Sequence, residues 1–221
     1  MPKYRIKTEL KKDWYLLVLI AAVLIFGLLI APALPEYMAT HWNIHGEADG
    51  YSPRLSGILM LPLFALGIYL MMLVLPVIDP RRENYPNFIK VYRVFRIALV
   101  LFMLGLQLLS LGYNLGFPIQ IDRIVILGLG LLFTIMGKFF PQIKHNYFVG
   151  IRTPWTLASE EVWVKTHQLG GKLFMGSGLI IILSFFLPAR LRFWLTMVSL
   201  IGGSLITVVY SYLIYRRQNN Q

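Results

Sequence analysis

The sequence contains no cysteine, which excludes disulfides, thiolate metal ligands and thiol nucleophiles. Acidic residues are scarce, 10 against 21 Lys and Arg in 221 residues, and charged residues of both signs make up only 14%. With 57% hydrophobic residues and a mean hydropathy of +0.65, the chain is too apolar for a soluble globular domain. Catalytic signatures are missing too. Gly137-Lys138 and Gly171-Lys172 lack a glycine five residues earlier and are followed by Phe139 and Leu173, so neither forms a P-loop. No H-E-x-x-H occurs, and the histidines have no nucleophile beside them in a hydrolase arrangement.

What is abundant is apolar sequence. Runs long enough to cross a bilayer, roughly 20 residues each, cover about 14 to 34, 55 to 78, 94 to 116, 121 to 140, 172 to 188 and 191 to 215. These predict an all-α integral membrane protein of six transmembrane helices. Charged residues are nearly absent from the middle of the runs, and ion-coupled transport normally needs intramembrane ionisable groups, which weakens a transporter reading. Gly128 and Gly130 in the fourth run predict close helix packing. The basic arm, first apolar run and Ala31-Pro32-Ala33 loosely imitate a signal peptide, but the run is longer than a usual h-region and is read as a retained span.

The basic residues fall on alternate sides of these runs. Seventeen lie in the N-terminal arm, the second and fourth connections and the tail; only Arg54, Arg123, Arg190 and Arg192 lie on the other face. The positive-inside bias then predicts both termini in the cytoplasm. Topology explains the charge of +11, so no direct nucleic-acid partner is expected.

Two polar segments interrupt the apolar pattern. The first, THWNIHGEADGY at 40 to 51, falls outside and carries His41, Trp42, Asn43, His45, Glu47 and Asp49. Histidines four apart with two carboxylates nearby are metal-ligand types, yet Gly46 and Gly50 break any helix that would hold all four rigidly. Its bland reading is a polar cap of successive turns, with Trp42 and Tyr51 at the membrane interface. The second, NYFVGIRTPWTLASEEVWVKTH at 146 to 167, is cytoplasmic and carries Asn146, Gly150, Arg152, Pro154, Trp155, Glu160, Trp163 and His167. Thr153-Pro154 predicts a helix start, Glu160 and Glu161 suit its early turns, and Gly170-Gly171 predicts its end. Glu160, Trp163 and His167 share one helical face, while Glu161 pairs with Lys165 on another. The expectation is an amphipathic surface helix between spans four and five whose polar-aromatic face, with Arg152, meets a partner or ligand.

Read together, the segments resemble the SdpI family of bacterial membrane immunity proteins. LPEYMATHWNIHGEADGY, residues 34 to 51, is similar to that family's N-terminal domain of unknown function in its Leu-Pro, His-Trp-Asn and Gly-x-x-Asp-Gly. Residues 136 to 174 are similar to its C-terminal signature in Asn146-Tyr147-Phe148, Gly150 to Thr156, Trp163, Thr166-His167 and Gly170-Gly171. The resemblance implies two modules, 1–80 with spans one and two and 81–221 with spans three to six. It also implies a non-enzymatic protein, without cofactor, that protects the cell from an SDP-like peptide toxin met outside and retains a winged-helix autorepressor at the membrane. From the residues alone, a metal-dependent membrane enzyme using His41 and His45, or a small transporter, stays open.

Overall fold

The computed structural model describes residues 3–220; Met1, Pro2 and Gln221, the extreme ends of the predicted termini, lie outside the described residues. Helix α1 spans Ile6–Leu29, followed by strands β1 (Tyr37–Trp42) and β2 (Ala48–Pro53), then α2 (Arg54–Ile78) and α3 (Ile89–Asn114). Next come α4 (Ile121–Phe139), the short α5 (Pro154–Ala158), α6 (Glu160–Leu183) and α7 (Ala189–Asn219). The helices α1, α2, α3, α4, α6 and α7 are long and apolar enough to cross a membrane, and the chain is a multi-pass membrane protein.

Helices α1, α2 and α3 share a core of Leu16, Ile20, Ala65, Tyr69, Leu73, Val100 and Leu104. Helix α6 packs chiefly on α4 and α7. Between α4 and α6 the seam is glycine. A Cβ on Gly171 would lie 2.8 Å from the Gly137 carbonyl oxygen, and one on Gly130 2.9 Å from the Gly178 carbonyl oxygen. No side chain fits there, so the two backbones approach closely, the usual way apolar helices associate in lipid.

That seam corrects the predicted surface helix. Gly170 and Gly171 do not end a helix; α6 runs unbroken from Glu160 to Leu183, so Trp163 and His167 belong to the first turns of a spanning helix and are buried. Glycine breaks helices where water competes for the backbone, whereas here close packing holds it helical.

The all-α expectation also needs correction at 40 to 51, where β1 and β2 form an antiparallel hairpin. Asn43 makes the turn: its side-chain oxygen accepts from the His45 and Glu47 amides at 2.9 and 3.1 Å, and Gly46 follows at φ +80. Residues 48–53 extend rather than turn, alternating half-buried and exposed positions. Met38 of β1 is fully buried with Leu34, Ile58 and Leu111. Asn114 at the end of α3 accepts from the Ala39 amide (2.7 Å) and donates to its carbonyl (3.0 Å), clamping the hairpin to the bundle.

Charge also enters the bundle, at the starts of the helices rather than in the middle of the apolar runs. Helix α1 begins at Ile6, so Glu9 and Asp13 lie inside it, and both are buried, as is Arg96 of α3. Burial is tolerated because the charges pair: Arg93 grips Glu9 with bonds of 2.8 to 3.1 Å, and Arg96 grips Asp13. Arg192 of α7 pairs with Asp122 of α4 in the same way.

Candidate functional site

The polar residues gather at the two ends of the bundle. At the first, the hairpin lies over α2, α3, α4 and α7. Its His41 Nδ1 and Asp49 carboxylate stand 2.5 Å apart across the strands, both exposed. Asn43 donates to Glu47 at 2.9 Å, and His45 is exposed at the turn. His41 and His45 are therefore not joined with both carboxylates, and among the described residues no group of three or more potential ligands clusters. Trp42 turns inward and meets Tyr113 edge-on at 5.3 Å. Beneath the hairpin is an apolar cavity of about 430 Å³, walled by Trp42, Leu61, Leu109, Ile126 and Phe193 and bordered by the Asp122–Arg192 pair.

At the opposite end, residues 143–153 form a loop tied by its own polar groups. Asn146 is fully buried; its oxygen accepts from the Phe148 and Val149 amides (2.9 and 2.7 Å), and its nitrogen donates to the Lys144 and Val149 carbonyls (2.8 and 3.0 Å). These four bonds fold the loop on itself, and the Tyr85 hydroxyl approaches the same oxygen at 3.5 Å from outside it. Gly150 follows at φ +106, and a Cβ there would run into the His167 ring. The bare glycine lets the next amide, of Ile151, donate to His167 Nε2 at 3.0 Å. An acceptor at Nε2 requires the proton on Nδ1, which donates to the Trp163 carbonyl at 2.9 Å. The Trp163 indole lies between His145 and His167, with centroids at 4.9 and 4.1 Å, and donates to the Ile143 carbonyl at 2.9 Å. Burial, with nearby Arg81, holds the His145 imidazole below its ordinary pKa.

Thr153 caps α5, with its hydroxyl accepting from the Thr156 amide at 3.1 Å, and also meets Ser211 of α7 at 3.0 Å. Trp155 packs on Tyr212 of α7 at 5.1 Å. Of the eight residues expected to form this site, Asn146, Trp163 and His167 are buried, whereas Arg152, Pro154 and Glu160 are exposed. Arg152 donates to the Tyr147 carbonyl at 3.2 Å and makes no ion pair with Glu160. The predicted Glu161–Lys165 pair is present at 2.5 Å.

Sequence reasoning missed the residues that fasten this loop to the first half of the chain. Asp79, buried just after α2, accepts from the Tyr85 hydroxyl (2.9 Å) and the Tyr147 amide (2.9 Å). Burial and that hydrogen bond push the Tyr85 phenol far above its usual range. Asn84 donates to the His145 carbonyl at 2.7 Å, and Arg81 donates to the Leu157 carbonyl at 3.2 Å while lying over the Tyr147 ring. DPRRENYPNF, residues 79 to 88, held the signal, since a carboxylate directly after an apolar run needs donors and the Asn146 loop supplies them.

Six apolar helices, a polar hairpin at one end and an internally bonded loop at the other define a multi-pass membrane protein whose distinctive residues lie at the ends of the bundle. The SdpI/YfhL protein family profile matches residues 142–211, and that of a domain of unknown function, DUF1648, matches residues 18–66. The chain therefore carries an SdpI/YfhL-family domain over residues 142–211. It is similar to Immunity protein SdpI of Bacillus subtilis (strain 168), with 26% identity over 210 residues that cover 95% of this chain and 99% of that protein. No solved structure matches it.

Proposed function

We propose that this protein is a membrane immunity protein that protects its cell from an SDP-like peptide toxin acting at the envelope. The observation that carries this reading is the end-to-end similarity to Immunity protein SdpI, which spans both polar segments as well as the apolar helices. The chain sits with both termini in the cytoplasm, as the seventeen-to-four division of basic residues favours, so the hairpin with His41, Trp42, Asn43, His45, Glu47 and Asp49 faces outward. The modules divide near residue 80, with the hairpin in the first and the signature loop in the second.

The cytoplasmic loop is the surface read by a partner, a winged-helix repressor held at the membrane. Arg152, Pro154, Trp155 and Glu160 make the contact, and the buried Asn146, Gly150, Trp163 and His167 shape the loop that presents them. Asp79, Arg81 and Asn84 support this reading, because they tie the loop to the helices that carry the hairpin.

Expression in a sensitive bacterium tests the proposal: survival against an SDP-like peptide should rise. Unchanged killing over several related peptides, with the protein confirmed in the membrane, overturns immunity as its function.

A further inference from the structure

The 430 Å³ cavity under the hairpin has the size of pockets that hold small ligands or a few large side chains, about 300 to 1,000 Å³. Five elements wall it: β1, α2, α3, α4 and α7 contribute Trp42, Leu61, Leu109, Ile126 and Phe193. Its floor is apolar, while the hairpin above it is acidic, with exposed Glu36, Glu47 and Asp49 against a single Arg54, which donates to the Pro35 carbonyl. One polar group in the wall has no protein partner. The Trp42 indole N–H is buried and meets no acceptor among the described residues, which is costly unless a ligand supplies one.

We propose that this cavity is the binding site for a cationic amphipathic membrane-active peptide: its apolar side chains enter between the helices, a backbone carbonyl accepts from Trp42, and its basic residues meet Glu47 and Asp49. The site rests on the immunity reading above and names what that reading would recognise. Charge selects this occupant over a lipid. Peptides that lie in membrane interfaces carry Lys and Arg opposite an apolar face, which complements an apolar floor under an acidic rim. A phospholipid tail would fill the same floor but bring its phosphate against Glu47 and Asp49, and the cation in the cavity wall, Arg192, is already paired with Asp122. The walls come from both ends of the chain, and the turn of the hairpin rests on Asp122, where a Cβ on Gly46 would lie 2.9 Å from the carboxylate. Occupancy therefore bears on α4 and α7 as well as on the hairpin.

The test uses the full chain in nanodiscs of phosphatidylcholine and a fluorescein-labelled amphipathic helix built of Leu and Lys, with empty discs subtracted. Saturable binding is expected. Leu109→Trp and Ile126→Trp, which fill the cavity from opposite walls, should each weaken it by about tenfold or more, whereas Leu101→Trp on the lipid-facing side of α3 should not. Glu47→Gln with Asp49→Asn should weaken binding and flatten its salt dependence. Equal binding by both filled variants at unchanged melting temperature overturns the site. So does a spin-labelled fatty-acyl probe that displaces the peptide from the wild type and binds Glu47→Gln/Asp49→Asn unchanged, because the cavity is then a lipid-tail site. The two readings separate cleanly: binding without protection removes the immunity function and leaves the site, whereas full protection by both filled variants removes the site and leaves immunity.

Discussion

Arg96 and Asp13 are paired between α3 and α1, 83 residues apart, with the side chains of both fully buried. Arg96 Nε donates to Asp13 Oδ2 at 2.8 Å, and the Tyr69 hydroxyl donates to the other carboxylate oxygen at 3.0 Å. Tyr69 and Tyr92 bring their rings to 5.9 Å from the guanidinium. Glu9 and Arg93 extend the pair into a network that locks α1 to α3, with half-exposed Lys12 also 3.4 Å from Glu9.

Breaking this group should cost far more than deleting it. Arg96→Met leaves Asp13 buried and unpaired, a loss of about 3 to 5 kcal/mol, and should lower both membrane abundance and the melting temperature in detergent. Asp13→Leu combined with Arg96→Met removes both charges and should recover most of that loss. A double variant as unstable as the single would mean that the pair has a role beyond charge compensation.

Acidification should loosen the signature loop through His145. Its pKa in the folded protein lies below the ordinary value because of burial and Arg81, so the unfolded chain takes up the proton first as pH falls. Stability from this group is complete above about pH 6.5 and declines as pH falls from there toward the lower folded value. The melting temperature should therefore fall as pH drops below about 6.5, and His145→Asn should flatten that slope. An unchanged slope in the variant would assign the dependence to another group.

Some of this was legible in the sequence and some was not, for physical reasons. The spans were, because a bilayer demands long apolar runs, and the start of α5 was, because Thr153-Pro154 is a local cap. The hairpin was not: GEADGY is rich in turn residues, and only contacts such as Asn114 on Ala39, 75 residues away, select the extended form. Gly170 and Gly171 misled because what they pack against is distant in sequence, Ile151 and Thr207 for the first and Gly137 of another helix for the second. Glu9 and Asp13 went unnoticed at the edge of an apolar run, although their spacing of four and the spacing of three between Arg93 and Arg96 place matched charges on single helix faces. In the signature, residue identity marked the segment but could not say that Trp163 and His167 point inward while Arg152 points out.

Membrane orientation is checked by reporter fusions inserted at Glu47 and joined after Gln221. Opposite compartments are expected, with the C-terminal fusion cytoplasmic. The same compartment for both would overturn the six-span topology, and exchanged compartments would overturn the orientation.

The division of the signature into contact and support makes a sharper demand. Trp163 is buried, packed between two imidazoles and bonded to Ile143, so Trp163→Ala should cost about 3 to 5 kcal/mol and reduce abundance, melting temperature and protection together. Arg152 is exposed, and its one side-chain hydrogen bond among the described residues is to the Tyr147 carbonyl. Arg152→Ala should therefore leave abundance and melting within experimental scatter, because a surface hydrogen bond contributes little. Arginine is nevertheless among the residue types that dominate interfaces, where truncation costs on the order of 2 kcal/mol or more, so protection or repressor retention should fall sharply in the same variant. Lys165→Ala breaks only the exposed pair with Glu161 and should be mild in every assay. Level, melting and function measured side by side separate the cases. If Arg152→Ala loses all three in proportion, the exposed residues belong to the support of the loop and no partner reads them; if it loses function alone, the surface they form is the one that is read.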